Sequence, residues 1–183
     1  MIRHKTDSRL FFALWPDEVL QRRLKQMARR FDPICAGKPV RAHNIHLTLV
    51  FIGQFDQAKI PLLIDAAETF KLETFSLRLD RIGAFRNSKV VWLGPAETPS
   101  ELTLLVNNLQ KALRQAGFGF DNKPFVPHVT LLRKARWFES ADLEEPIDWQ
   151  VQGFALVQSV SESGGVRYEV LRRFAETAAA QKT

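Results

Sequence analysis

The 183 residues, 45% of them hydrophobic, are enough for one well-filled core and few for two independent domains, so a single unit over residues 1–183 is expected. The 26 Lys and Arg against 20 Asp and Glu leave a formal charge of +6, which favours polyanionic partners, and the lone Cys35 excludes an internal disulfide or a cysteine-rich metal site. No stretch is long and apolar enough for a signal peptide or membrane span, which predicts a soluble, cytoplasmic protein with no membrane partner.

Leu10 to Trp15 predicts a buried strand, and Pro16-Asp17-Glu18 then suits the first turn of a helix. Leu20, Leu24, Met27 and Phe31 fall at helical spacing, with Arg22, Arg23, Lys25, Arg29 and Arg30 on the remaining surface, more simply a solvated face than an RNA contact. Residues 32–44 contain Pro33, Gly37 and Pro39 without periodicity and predict a loop, with Lys38 and Arg41 placed to line a groove.

Ile45-His46-Leu47-Thr48-Leu49-Val50-Phe51 follows, alternating as a half-buried strand does. Strict alternation sends Ile45, Leu47, Leu49 and Phe51 to a core and His46 and Thr48 to the other face. A second helix is predicted around Ile60, Leu63, Ile64, Ala67 and Phe70, with Pro61 confined to its early turns. Phe75 to Phe85 and Val90 to Gly94 predict a hairpin turning at 86–89. Thr98-Pro99-Ser100-Glu101 has capping-box spacing and opens the clearest helix, with Leu102, Leu105, Val106, Leu109, Ala112 and Leu113 as its stripe and Gly117 as its stop.

A second strand, Phe125-Val126-Pro127-His128-Val129-Thr130-Leu131, repeats the pattern His-apolar-Thr-apolar of residues 46–49 at 128–131. Val151 to Val160 and Val166 to Phe174 predict a last hairpin, and residues from about 175 a frayed tail.

A lone strand histidine is more often structural than catalytic, but two tetrads that match in spacing and parity argue for a shared task. Imidazole exchanges a proton near neutral pH and a threonine hydroxyl donates to anionic oxygen, so two such pairs suit acid/base chemistry on a phosphate. No third ligand stands at metal-site spacing from either histidine, which disfavours a catalytic zinc.

The twin tetrads, one per half, resemble those of the 2H phosphoesterases. Residues 9–14, 90–94, 127–133 and Arg167-Tyr168 with Leu171 are similar to the bacterial RNA 2′,3′-cyclic phosphodiesterase branch, also called 2′-5′ RNA ligase, over nearly the whole chain. The resemblance implies an α+β, two-lobed fold with one mainly antiparallel sheet per lobe, helices outside and a central groove. It implies cofactor- and metal-independent opening of a 2′,3′-cyclic phosphate at an RNA end to a 2′-phosphomonoester, with His46 as proton donor and His128 as acceptor. Thr48 and Thr130 match the family's hydroxyl positions, and Arg133 a basic position after the second tetrad.

Phe12 and Phe51, with Phe11 and Phe125, lie on the groove strands and are candidates to stack on a terminal base. Arg133, Lys134, Arg136 and Trp137 form a candidate strip for single-stranded RNA. The expected protein is a monomer acting on RNA ends, tRNA halves among them, by hydrolysis or reversible 2′-5′ ligation. Small cyclic nucleotides are an alternative substrate, and a non-catalytic RNA- or nucleotide-binding module is the rival from another class.

Overall fold

A computed structural model of the chain describes residues 7–136, 139–163 and 165–175. Strand β1 (Asp7–Leu14) leads into α1 (Glu18–Cys35), where Asp17 caps the helix by accepting from the Leu20 N–H at 2.8 Å. The helix runs through Pro33, past the residue 32 boundary expected for the loop, at the loss of the one backbone bond that the Pro33 nitrogen cannot donate. Ala36, in the left-handed conformation, then ends it by donating to the Asp32 carbonyl. Lys38–Pro39 forms the short β2, and a 3₁₀ turn at Ala42–Asn44 delivers the chain to β3 (Leu47–Asp56).

Helix α2 (Ile60–Ala67) carries Pro61 in its first turn, and β4 (Phe75–Phe85) and β5 (Val90–Gly94) form the expected hairpin. Helix α3 (Ser100–Gln115) starts one residue later than expected, with Pro99 at the N-cap and no side-chain cap, so the Thr98–Glu101 capping box does not form. Its end matches expectation: Gly117 at φ +78 lets Gly117 N–H reach Arg114 O and Phe118 N–H reach Leu113 O, which closes the last turn. Then come β6 (Val129–Arg133), β7 (Ala141–Val151), β8 (Gly153–Glu162) and β9 (Gly165–Ala175). Strand β7 has no counterpart in the sequence reading; its outer half, Ala141 to Glu145, is largely exposed and does not alternate.

The sheet order β7-β4-β5-β6-β3-β1-β8-β9, with β2 beside β6, divides into a half built on β3 and a half built on β6. These halves are the two lobes, and the register between them is a single pair, Leu47 opposite Val129. The helices cross that seam. Helix α1, leaving β1 in the first half, packs on β6 and β2 of the second, while α3, leaving β5 in the second half, packs on β3 and α2. Leu24 of α1 and Leu102, Leu109 and Leu113 of α3 are fully buried in one continuous core with Leu47, Val129 and Leu131. Each such side chain contributes on the order of 2 kcal/mol by leaving water, so the layer beneath the seam holds the halves together. Among the described residues no helix is long and apolar enough to cross a membrane.

Candidate active site

His46 and His128 each stand one residue ahead of their strand, and each is fixed by the same device. The His46 Nδ1 lies 2.7 Å from the Asn44 carbonyl oxygen, and the His128 Nδ1 lies 2.7 Å from that of Val126, in both cases two residues back. A carbonyl only accepts, so each Nδ1 carries the hydrogen and each neutral ring keeps its lone pair on Nε2, the nitrogen turned away from the backbone. Because Leu47 pairs with Val129 antiparallel, the two tetrads lie alongside each other across the seam, on the face opposite the core.

Aromatic rings enclose His46. Trp15 stacks on it at 5.5 Å between centroids and 10°, Phe11 tilts against it at 4.9 Å, and Tyr168 meets it edge-on at 4.9 Å. Asn44 holds that arrangement together. Its buried side chain donates from Nδ2 to Val166 O at 2.7 Å and accepts at Oδ1 from the Tyr168 N–H at 3.1 Å, clamping β9 so that Tyr168 reaches the histidine. The same residue's main-chain oxygen orients the His46 ring. His128 has a sparser setting, with Phe85 edge-on at 4.9 Å.

Burial pushes both imidazoles below their ordinary value, since a charged ring in an apolar setting loses hydration. For His46 the fall is to about 4, mainly through that desolvation, opposed by the Asn44 carbonyl and reinforced by Arg133 and then His128. For His128, burial again leads, with Val126 opposing and Arg133 reinforcing. Arg133 is therefore close enough to act on both rings.

Arg133 reaches this face through a bulge. Along β6, Thr130 pairs with Trp92 and Leu132 with Val91, so Leu131 is the extra residue. Leu131 and Leu132 are both buried, and Arg133 emerges on the histidine face instead of following Val129 inward. Strand β3 does the same: Thr48 pairs with Ala13 and Val50 with Phe12, Leu49 is extra, and Leu49 and Val50 are both buried. Phe51 is accordingly 45% exposed and stacked on Phe11 at 5.5 Å, not in the core where strict alternation put it.

Phe12 is a correction. It is fully buried on the core face beside Phe154 and Phe174, so it contacts no substrate; its neighbour Phe11 is the ring beneath His46. Phe125 packs partly against the main core. Lys25 of the basic helix donates to the Val40 carbonyl at 2.9 Å and so fixes the loop before β3. Lys38 pairs through its backbone with Arg133, and Arg41 is exposed. Trp137 and the chain beyond Ala175 lie outside the described residues. Among those described, no group of three His, Cys, Asp or Glu side chains could hold a metal ion.

Trp15, Asn44, Phe85 and Tyr168 are neighbours of the histidines that sequence pattern does not single out. Two of them carried a faint signal: Tyr168 is the one tyrosine of the chain, and Asn44 stands two residues before a histidine, the same offset as Val126 before His128.

The model of the LigT like Phosphoesterase family matches the chain twice, over residues 14–92 and 93–168, one copy per tetrad. The chain is 38% identical over 173 residues to the RNA 2′,3′-cyclic phosphodiesterase of Escherichia coli strain K12, covering 92% of this chain and 97% of that one. It is 31% identical over 176 residues to the protein of the same name from Archaeoglobus fulgidus, covering 91% and 99%. A crystal structure of E. coli LigT complexed with 3′-AMP superposes with a TM-score of 0.84 at 34% identity, over 94% of this chain and 99% of that one.

Proposed function

This chain belongs to the LigT like Phosphoesterase family, and we propose that it is an RNA 2′,3′-cyclic phosphodiesterase working by two-histidine acid/base catalysis without a metal ion. The observation that carries this is the pairing of Leu47 with Val129, which sets two imidazoles, each held by the same Nδ1 contact, on one face of one seam. The names borne by its relatives in E. coli and A. fulgidus support the same substrate class.

In this reading a terminal 2′,3′-cyclic phosphate lies between the rings. His128 takes a proton from water at Nε2 as the water oxygen bonds to phosphorus, the bond from phosphorus to the 3′ oxygen breaks, and His46 gives its Nε2 proton to that oxygen. The product is a 2′-phosphomonoester with a free 3′ hydroxyl, and each histidine's proton transfer is worth roughly a hundredfold or more in rate. Thr48 and Thr130 hold the non-bridging oxygens, and Arg133 offsets their charge. Phe51, stacked on Phe11 at the edge of the site, offers a face to the terminal base.

Without a bound anion, burial holds both rings below their ordinary value, His46 at about 4. The donor role of His46 therefore requires the substrate: a phosphate anion between the rings raises both pKa values, and on departure of the 3′ oxygen the growing alkoxide takes the proton. Both tetrads come from one chain, so the site is complete in a monomer. A chain with one cysteine, buried at Cys35, suits a reducing cytoplasm where RNA ends, tRNA halves included, are its partners.

The decisive experiment incubates the protein, in chelator, with an oligonucleotide ending in a 2′,3′-cyclic phosphate. A 2′-monoester is expected. A 3′-monoester, or loss of turnover on chelation, would overturn the reading.

A further inference from the structure

Beyond Arg133, on the same face, the second half opens into a cavity of about 550 Å³ lined by Phe85, Val90 and Ala135 with Arg86, Lys89, Lys134 and Arg136 at its sides. Among the described residues no carboxylate lines it. The cavity beside the start of α1 differs, since Asp17 and Asp148 there balance Arg23 and Arg173. Among the described residues no ion pair joins Lys89, Lys134 or Arg136 to an acid, and all three are exposed.

Its backbone is unusual. Three non-glycine residues among those described have positive φ: Ala36, which ends α1, and the two lysines of this cavity, Lys89 at 53° and Lys134 at 55°. A lysine in the left-handed region carries a steric cost that glycine would not. The two turns are tied by the Ala135 N–H donating to Lys89 O at 3.0 Å, and the Arg136 N–H is anchored on Cys35 O at 2.7 Å. The cations are thus set on a braced frame. Phe85, in the cavity wall, also touches His128, so the cavity is continuous with the histidine face.

We infer that this cavity receives the nucleotide that precedes the terminal one in a single-stranded RNA, with its phosphates against Lys89, Lys134 and Arg136 and its base over the apolar floor. The inference rests on the proposal that the terminal cyclic phosphate lies between His46 and His128. Its consequence is a preference for RNA strands over cyclic mononucleotides, because the latter have no second phosphate to place there.

The test compares the wild-type protein with the double variant Lys89→Asn/Lys134→Asn, asparagine being tolerant of the left-handed conformation. Two substrates are used, a short single-stranded RNA ending in a 2′,3′-cyclic phosphate and cytidine 2′,3′-cyclic phosphate. For the RNA, kcat/KM is expected to fall about tenfold or more and the slope of its logarithm against that of salt concentration to flatten by about 1.4, two phosphate contacts being lost. Turnover of the mononucleotide should stay unchanged. Arg136→Gln should show the same split, more weakly.

Equal losses on both substrates, or none on either, would overturn the inference. Binding of a fluorescent RNA ending in a 2′-phosphate, followed by anisotropy, separates the two proposals. If the wild-type protein turned over neither substrate, the phosphodiesterase reading would fail, while weaker RNA binding by the double variant would still support the cavity and unchanged binding would refute it.

Discussion

Phe51 and Arg133 occupy the same place in the two halves of the molecule, each five positions after its histidine and each brought to the histidine face by one extra residue, Leu49 or Leu131. The halves share a frame and differ in what they put at that corner, an aromatic ring in one and a guanidinium in the other.

That difference predicts different kinetic lesions. Arg133→Gln removes a charge that serves most when the phosphate gains negative charge, so kcat should fall by about a hundredfold, while Phe51→Ala should mainly raise KM. Steady-state kinetics on a cyclic-phosphate oligonucleotide measures both. Equal loss of kcat in the two variants would contradict the assignment.

The donor and acceptor can be told apart by the leaving group. His46→Ala and His128→Ala should each lower turnover by at least about a hundredfold on the natural substrate. When the bridging 3′ oxygen is replaced by sulfur, the departing thiolate needs no proton, so the His46 variant should recover most of its rate and the His128 variant should not. Rescue of the His128 variant alone would exchange the roles.

Burial of the histidines sets two pH dependences. For kcat/KM, which reports the free enzyme, the bell should be centred below the ordinary imidazole value of 6.5, with one limb near 4 from His46 and the limb from His128 also moved down by burial. For kcat, the bound phosphate should move both limbs to higher pH; coincident profiles would argue that no anion sits between the rings. Folding stability should also respond. His46 stays neutral in the fold down to about 4, whereas the unfolded chain takes up its proton at 6.5, so this contribution is intact above pH 6.5 and lost as pH falls between those values. The loss approaches about 3 kcal/mol at most, and denaturant titrations should show it shrinking in His46→Asn.

Gly83 tests the support beneath His128. A Cβ there would stand 2.4 Å from Cζ2 of Trp92, the residue paired with it across β4 and β5. Trp92 leans on Phe85 at 5.5 Å, and Phe85 on His128 at 4.9 Å. Gly83→Ala should therefore cost about 1–3 kcal/mol by overpacking and lower turnover as well. Thermal melts and rates that both stay at wild-type values would show that the chain of contacts does not transmit.

Much of the framework was readable because it is written in local patterns. The stripe of α3 and its stop at Gly117 follow from helical spacing and from glycine's freedom at positive φ. The tetrads stood out by repetition. The extension of α1 to Cys35 was hidden by Pro33, which ordinarily ends a helix and here stands inside one. Strand β7 was hidden because only its inner half, with Ile147, Trp149 and Val151 buried, alternates.

Residue types, their order and their short-range periodicity determined by themselves that the chain has two strands presenting a histidine and a threonine each, within a basic chain of mixed α and β structure. Which side chains share the site was settled only in three dimensions. A bulge changes strand parity without any mark in composition, so Phe51 and Arg133 face the histidines, while Phe12 turns to the core by the plain alternation of β1, whose two faces are both buried. Trp15, Asn44 and Tyr168 gather around His46 because β1 and β9, at opposite ends of the chain, flank β8 in one sheet, and only pairing between such distant segments makes them neighbours.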